Sequence, residues 1–478
     1  MLVRDVVLAK DAAEPLYQQL YTQLRSAIAA GGQWAAGTRL PSSRELAGDL
    51  GVSRNTVVLA YQRLQEDGFV RGMSGGGTVV GDLPVVPPAR DGGARAAAVE
   101  QAPYGLPNSA FPVGVPPVDL FPTTLWAGLT SRRLRTSGVR VLLGSGLLGY
   151  RPLREAIAGY LWVVRGIRCT PEQVIVTRGM DAGLALLGGA LLSDGDRVWC
   201  EEPGYHPGQG ALARHGVRRH PVPVDEDGLD VDAAIKNAPD AALALVSATR
   251  QLPMSVSMTE PRRARLLDHA DRTGMWVVEH ENDTAFLGRQ AARPLIAEDE
   301  RGRVIHVGSF DTVLFPQLHV GYCVVPDGLI DTVGRAVADA DAQASGLTQA
   351  VLADFLNHHR FARFLARITS ACASRRELLR DALLRLPDAP LTVVGDVGRG
   401  SYLTTVFRRP ATEAGLVADA ARLSLNLVPL SRYFSTADPT TGLLLGCAAA
   451  REEAIGPAVR LLASLLRRHV PPVLGSAE

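Results

Sequence analysis

Lysine is almost missing from this chain. Of 478 residues and 50 basic side chains, only Lys10 and Lys236 carry an amine; the other basic residues are arginine. Any chemistry that needs a lysine therefore has two candidates in the whole sequence. Cysteine is scarce too: Cys169, Cys200, Cys323, Cys372 and Cys447 are odd in number, far apart and without a CxxC pair. That excludes a disulfide framework and a cysteine zinc site, and it reads as thiols kept reduced in a cytosol. No apolar run reaches the ~18 residues that a membrane span requires. The opening MLVRDVVLAKDAAEP carries charges where a signal peptide needs an apolar stretch. A cytoplasmic protein without a membrane partner is expected. The net charge of +1 gives no global sign of a nucleic-acid partner. Residues 1–80 hold eight Lys/Arg against seven Asp/Glu, so a DNA-facing surface must come from charge segregated by the fold.

What is present suggests two or three domains, at ~150 residues per domain. Leu16, Leu20, Leu24 and Ile28 recur four apart, the stripe of an amphipathic helix that Gly31-Gly32 end. SRELAGDLG reads as a short helix with Ser42 or Ser43 as N-cap and Gly51 beyond its end. A third helix, roughly NTVVLAYQRLQEDG, carries Val57, Ala60, Tyr61 and Leu64 on one face. Two short β-prone runs around a glycine-rich tip follow in FVRGMSGGGTVVG. Three helices and a hairpin describe a winged helix-turn-helix over 1–82. Residues 83–107 are rich in Pro, Gly and Ala without periodicity and read as a flexible linker.

From 108 to 470 short β-branched runs alternate with helix-length segments: VIVT, RVWCEE, ALALVSA, MWVVEH, RVIHVGS and GYCVVP. Continuous apolar runs of this kind predict buried parallel strands, hence an α/β class. The length predicts a large domain with a smaller C-terminal α/β lobe over about 375–470.

The first 80 residues resemble the GntR family of bacterial transcription regulators, through PLYQQLYTQLRSAI, LPSSRELAGDLGVSRNTVVLAYQRLQEDG and the GGGT wing. Ser53, Arg54, Asn55 and Thr56 then open the recognition helix, whose free N–H groups and side chains face the major groove of double-stranded operator DNA. Arg54 suits guanine and Asn55 adenine. Arg44 is placed to meet phosphate, and Gly76, in the Gly75–Gly77 tip, lets the wing approach the minor groove.

Residues 108–470 resemble the fold-type I aminotransferases in the version fused to such a reader, the MocR/GabR-type regulators. FPVGVPPVDLFPTTLW, GYRPLREAIAGYL, VIVTRGMDAGLALL, EEPGY, PVPVDEDGLDVDA and VGSFDTVLFPQLHVGY carry the likeness. The resemblance implies pyridoxal phosphate (PLP) bound through a lysine and a head-to-tail homodimer, and this chain departs from the first of these. Thr312 stands where the lysine should be, and a hydroxyl forms no imine. In Glu279-His280-Glu281-Asn282 the histidine replaces the aspartate that holds the ring nitrogen protonated, and Asn282 replaces a tyrosine. The phosphate cup gains Asp181 and Asp311 and has His319 in place of its arginine. Leu444 takes the place of the arginine that anchors a substrate carboxylate. Tyr205, Ser309 and Pro316 match the family pattern.

The chain is therefore expected to be a DNA-binding regulator and not an enzyme, with no catalytic residues, no covalently held PLP and no metal. Tyr205, His280, Asn282, Ser309, Asp311, Thr312 and His319, with Glu281 beside them, are expected to line a cavity for a small-molecule effector. Carboxylates and histidines suggest a ligand with amine or hydroxyl donors. A purely structural dimerisation domain and a residual PLP-dependent aminotransferase are the alternatives. A metal on His280, Glu281, Asp311 and His319 has suitable residue types but no diagnostic spacing.

Overall fold

The computed structural model describes residues 6, 8–9, 14–29, 34–73, 77–81, 109–137, 143–144, 146–287, 292–340, 342–386, 390–395, 399–409 and 411–470. The chain divides into two units, Met1–Gln101 and Ala102–Glu478. The expected linker, the wing residue Gly76 and Lys10 lie outside the described residues.

In the first unit the apolar stripe forms α1, Leu16–Ala29, which buries Leu20, Leu24 and Ile28. It packs on Leu46 of α2, Ser43–Leu50, and on Val57, Ala60 and Leu64 of α3, Arg54–Glu66. Ser42 caps α2 in a reciprocal box with Glu45, and Gly51 ends it in the left-handed conformation at φ 60°. The wing is an antiparallel hairpin of β1, Val70–Gly72, and β2, Thr78–Val80. The stretch before α2 adds a rung that the sequence did not announce: Leu40 N donates to Thr78 O and Val80 N to Thr38 O.

The second unit is built on an eight-stranded sheet. Its strands are β3 (Val174–Thr177), β4 (Arg197–Glu202), β5 (Arg218–Asp225), β6 (Gly228–Leu229), β7 (Leu243–Val246), β8 (Trp276–Glu281), β9 (Val304–Ser309) and β10 (Gly321–Val324). They lie in the order β3-β10-β9-β8-β7-β4-β5-β6. All six predicted runs are strands, but the sheet is mixed, not all parallel: β10 runs antiparallel to both β3 and β9. It follows β9 after only the stretch 310–320, shorter than the dozen or so residues that a parallel crossover needs. β5 and β6 went unread because Pro221 and Pro223 interrupt the apolar pattern of β5.

The small lobe is an antiparallel sheet, β11-β12-β14-β13, of β11 (Leu391–Val394), β12 (Tyr402–Phe407), β13 (Val428–Pro429) and β14 (Gly442–Gly446). Its inner face shares one core with the helices Phe361–Leu384 and Glu452–His469, through Leu403, Leu443 and Leu445 against Ile368, Leu379, Val459 and Leu462. The segment at Ala110 bridges to Leu425, tying the start of this unit to the small lobe.

The topology gathers the chemistry at one edge. Thr177, Gly321 and Ser309 stand in register across β3, β10 and β9, and β8 ends beside them at Glu281. The loops that leave these carboxyl ends hold the candidate residues, as in open α/β sheets generally.

Candidate functional site

In the first unit, Ser53 caps α3: Thr56 N donates to its Oγ at 3.1 Å, and the two hydroxyls lie 2.9 Å apart. These two side chains are thus spent largely on helix capping. Arg54 and Asn55 are exposed on the first turn, as is Arg44 on α2. Arg54 Nε donates to Ser43 Oγ at 3.3 Å, which holds the guanidinium across the turn between the two helices. Val58, Gln62 and Gln65 continue the stripe of Arg54 along α3. With Arg39, Ser42, Ser43, Tyr61, Gly77 and Thr78 they line a groove of about 370 Å³ beside the wing. Gly77 has φ 152°, and a Cβ there would stand 2.9 Å from Arg39 Nη2, so the glycine lets the arginine lie over the wing backbone. Arg39 and Gln62 were not singled out from sequence. The four-residue spacing of Arg54, Val58 and Gln62 was the available signal.

In the second unit a cavity of about 330 Å³ opens at the carboxyl edge of the sheet. Tyr205, Asn282, Ser309, Asp311, Thr312 and His319 all line it, as expected, together with Asp181 and Pro316. His280 and Glu281 do not. Both are buried, because β8 runs on through Glu281 inside the sheet and the chain opens to the cavity only at Asn282. Glu281 is a structural group: it pairs with buried Arg165, whose Nε donates to Oε2 at 3.0 Å, and it accepts from Thr249 and Thr284. Burial opposes its charge, yet Arg165 and His306 hold its pKa below the usual carboxylate value. Among the described residues no three His, Cys, Asp or Glu side chains are grouped to hold a metal.

His280 lies against the ring of Tyr205, with centroids 5.3 Å apart, and burial pushes its pKa down to about 4. It is a neutral imidazole in the place of a fixed negative charge. Its Nε2 lies 3.1 Å from Ser247 Oγ, which donates to Glu201 Oε2 at 2.8 Å. Its Nδ1 is 3.3 Å from Asn282 Nδ2. Burial pushes the Glu201 pKa up to about 7, against its hydrogen bonds from Ser247 and Gln251.

Two carboxylates stand at the start of the helix that follows β3. The helix Met180–Leu191 starts at Gly179, with Asp181 in its first turn accepting from Tyr205 Oη at 2.8 Å. Asp311 accepts from Val320 N at 3.1 Å, and burial raises its pKa. A Cβ on Gly179 would lie 3.2 Å from Asp311 Oδ2, so that carboxylate stands at the helix N-terminus. Thr312 brings a hydroxyl and no amine. Lys236 is exposed at the end of the helix Val231–Asn237 and absent from the lining.

The lining also includes residues not singled out from sequence, among them Arg178, Leu252, Asp283, Ser401, Tyr402 and Tyr433. Arg178 precedes the helix and supplies a cation to a cup expected to have lost one. Asp283 is buried; its Oδ2 accepts from Ser401 N at 2.7 Å and lies 3.4 Å from Arg250 Nε. Burial raises the Asp283 pKa against these partners. Leu444 is fully buried with Leu252, Tyr402 and Leu430, packed against Val113, Tyr205 and Tyr433, and is not among the lining residues.

A family model described as bacterial regulatory proteins, gntR family, matches residues 16–80. The chain is 36% identical over 459 residues to the probable rhizopine catabolism regulatory protein MocR of Rhizobium meliloti, spanning 93% of this chain and 92% of that one. It is 28% identical to the pyridoxine biosynthesis transcriptional regulator PdxR of Corynebacterium glutamicum, over 93% and 95% of the two chains. Among solved structures it is similar to LysN, an alpha-aminoadipate aminotransferase of Thermus thermophilus, at 27% identity and a TM-score of 0.68 over 75% of this chain and 92% of that one. With its winged reader and aminotransferase-like second unit, the chain belongs to the MocR-type branch of the GntR family of transcriptional regulators.

Proposed function

We propose that this DNA-binding regulator senses a small effector through its aminotransferase-like domain without PLP, and that the domain has no transaminase activity. One observation supports the reading: Thr312, which the family resemblance aligns with the Schiff-base lysine, lines the cavity, and Lys236 is exposed elsewhere. A hydroxyl cannot form the imine on which the cofactor's chemistry depends. The neighbouring residues do not fit the cofactor either. Neutral His280 gives a pyridinium no fixed negative partner. Asp311 places a carboxylate where a phosphate would sit, and at ~4 Å two like charges repel by ~4 kcal/mol at an effective dielectric of 20. The cavity itself persists, with a volume in the range of small-molecule sites.

On the reader, we assign base contacts to Arg54 and Asn55, with Ser53 and Thr56 capping the recognition helix beside them, and phosphate contact to Arg44. The chain acts as a head-to-tail homodimer. Two readers per dimer call for an operator of repeated half-sites one or more helical turns, about 10 bp, apart.

The test is direct. Purified protein mixed with PLP and reduced with borohydride should gain no mass, while a Thr312→Lys variant gives the route by which such an adduct would form. A stable visible band with a borohydride-fixed adduct on the unaltered chain would overturn the proposal.

A further inference from the structure

A line of hydrogen bonds runs beneath the cavity, and with Glu201 ionised, as above its pKa of about 7, elementary chemistry fixes its direction. Glu201, buried on β4, accepts from Ser247 N at 2.9 Å, Ser247 Oγ at 2.8 Å and Gln251 Nε2 at 3.3 Å. Having given its one proton to Glu201, Ser247 Oγ can only accept from His280 Nε2, 3.1 Å away. The ring is neutral, so a proton on Nε2 leaves Nδ1 with a lone pair. Nδ1 therefore accepts, and the group 3.3 Å from it is Asn282 Nδ2. The amide thus turns its nitrogen into the protein. Oδ1 is left as its open group, on a residue that lines the cavity.

The rest of the lining has the same polarity. Asp283 Oδ1 is buried with no hydrogen-bond partner among the described residues, while Oδ2 is engaged by Ser401 and Arg250. Asp181 and Asp311 add two further carboxylates, against Arg178 as the one fixed cation of the lining among the described residues. Tyr205, Leu252 and Tyr402 add apolar surface to the lining and pack with buried Leu444 behind it. An anionic ligand would meet acceptors and carboxylates; a cation would find Asp283 Oδ1 unsatisfied and the other carboxylates only partly engaged.

Building on the reading of the cavity as an effector site, we infer that its ligand is a primary ammonium on a compact apolar body. Glu201, which does not line the cavity, favours that ligand by fixing Asn282 as an acceptor through Ser247 and His280. Glu201 is thus a positioning residue. Glu201→Gln turns the line around: the new amide donates to Ser247 Oγ, Ser247 donates to Nε2, and Nδ1–H donates to Asn282, whose nitrogen then faces the cavity.

The probes are cyclohexylamine and benzylamine against cyclohexanecarboxylate and benzoate, added to the full chain at about pH 8 and followed by thermal shift and calorimetry. The amines should stabilise the protein and the carboxylates should not. Stabilisation by the carboxylates alone would overturn the inference and leave the effector site standing; no shift with either series would overturn both. Glu201→Gln should weaken the amines about tenfold or more, and unchanged affinity would sink the role of Glu201. Because that variant alters a buried group, two further measurements stand apart from it. Nitrogen-15 shifts of the unaltered protein should show His280, identified by its loss in His280→Gln, as the Nε2–H tautomer; the Nδ1–H form would refute the line. Asn282→Leu should lose the response to amines, and a retained response would refute the assignment.

Discussion

Asp311 sets a carboxylate oxygen 3.2 Å from the point where Gly179 would carry a Cβ, at the first turn of the helix Met180–Leu191. The backbone has adapted to that approach, with Gly179 at φ 84° and ψ 178°, a region that only glycine enters readily. Gly179→Ala is expected to cost about 1–3 kcal/mol in urea unfolding. A neutral result would mean that the loop relaxes freely. Asp311→Ser removes the internal anion, and inorganic phosphate should then raise Tm in the variant and not in the parent. Equal responses would show that the carboxylate does not occupy the cup.

Glu281 and Arg165 form a buried ion pair beneath the cavity. Deleting one partner leaves the other charged and unpaired in the core. Glu281→Ala should therefore destabilise the second unit by about 3–5 kcal/mol, read as a lowered urea midpoint. A loss below 1 kcal/mol would return Glu281 to the list of ligand-binding candidates, where the sequence reading had placed it.

Glu201 and His280 pull stability in opposite directions as pH changes. The Glu201 pKa is raised in the fold from 4.5 to about 7, so its contribution is fully present below pH 4.5 and is lost as pH rises through about 7. The His280 pKa is lowered from 6.5 to about 4, so its contribution is present above 6.5 and is lost as pH falls toward 4. Between these limits the two slopes largely offset each other. Glu201→Gln removes one of them, and its stability relative to the parent should rise with pH across this window, by up to ~3 kcal/mol at ~1.4 kcal/mol per unit. Parallel stability curves for parent and variant would contradict this.

On the reader, Arg54→Ala and Arg44→Ala should fail differently. Losing a base contact costs about 1–3 kcal/mol and relaxes preference at one position, whereas losing a phosphate contact weakens all sequences alike and lowers the salt slope by about 1. Binding of both variants to a duplex selected by the parent chain, across a salt series, separates the two. Identical behaviour would undo the division of roles.

Local pattern made much of this architecture legible. Leu20, Leu24 and Ile28 gave α1 by spacing alone, and Ser42 or Ser43 with Gly51 marked the ends of α2, where the structure has Ser42 as the cap. Strand direction was not readable, because β10 has the same apolar character as its parallel neighbours and only the short return from β9 reverses it. At the cavity, residue types were legible and depth was not. His280 and Asn282 are two apart on one run, yet one is buried and the other faces the opening. Asp283 escaped notice because its partners, Arg250 and Ser401, are distant in sequence and meet it only in the fold.

The bond from Ser401 N to Asp283 ties the start of β12 to the end of the large sheet, and it is packed too closely to yield at that point. A Cβ on Gly400 would stand 2.5 Å from Asp283 Oδ2 and 2.6 Å from Arg250 Cζ. A guest molecule that draws on Asp283 therefore pulls on the same tether that seats the small lobe.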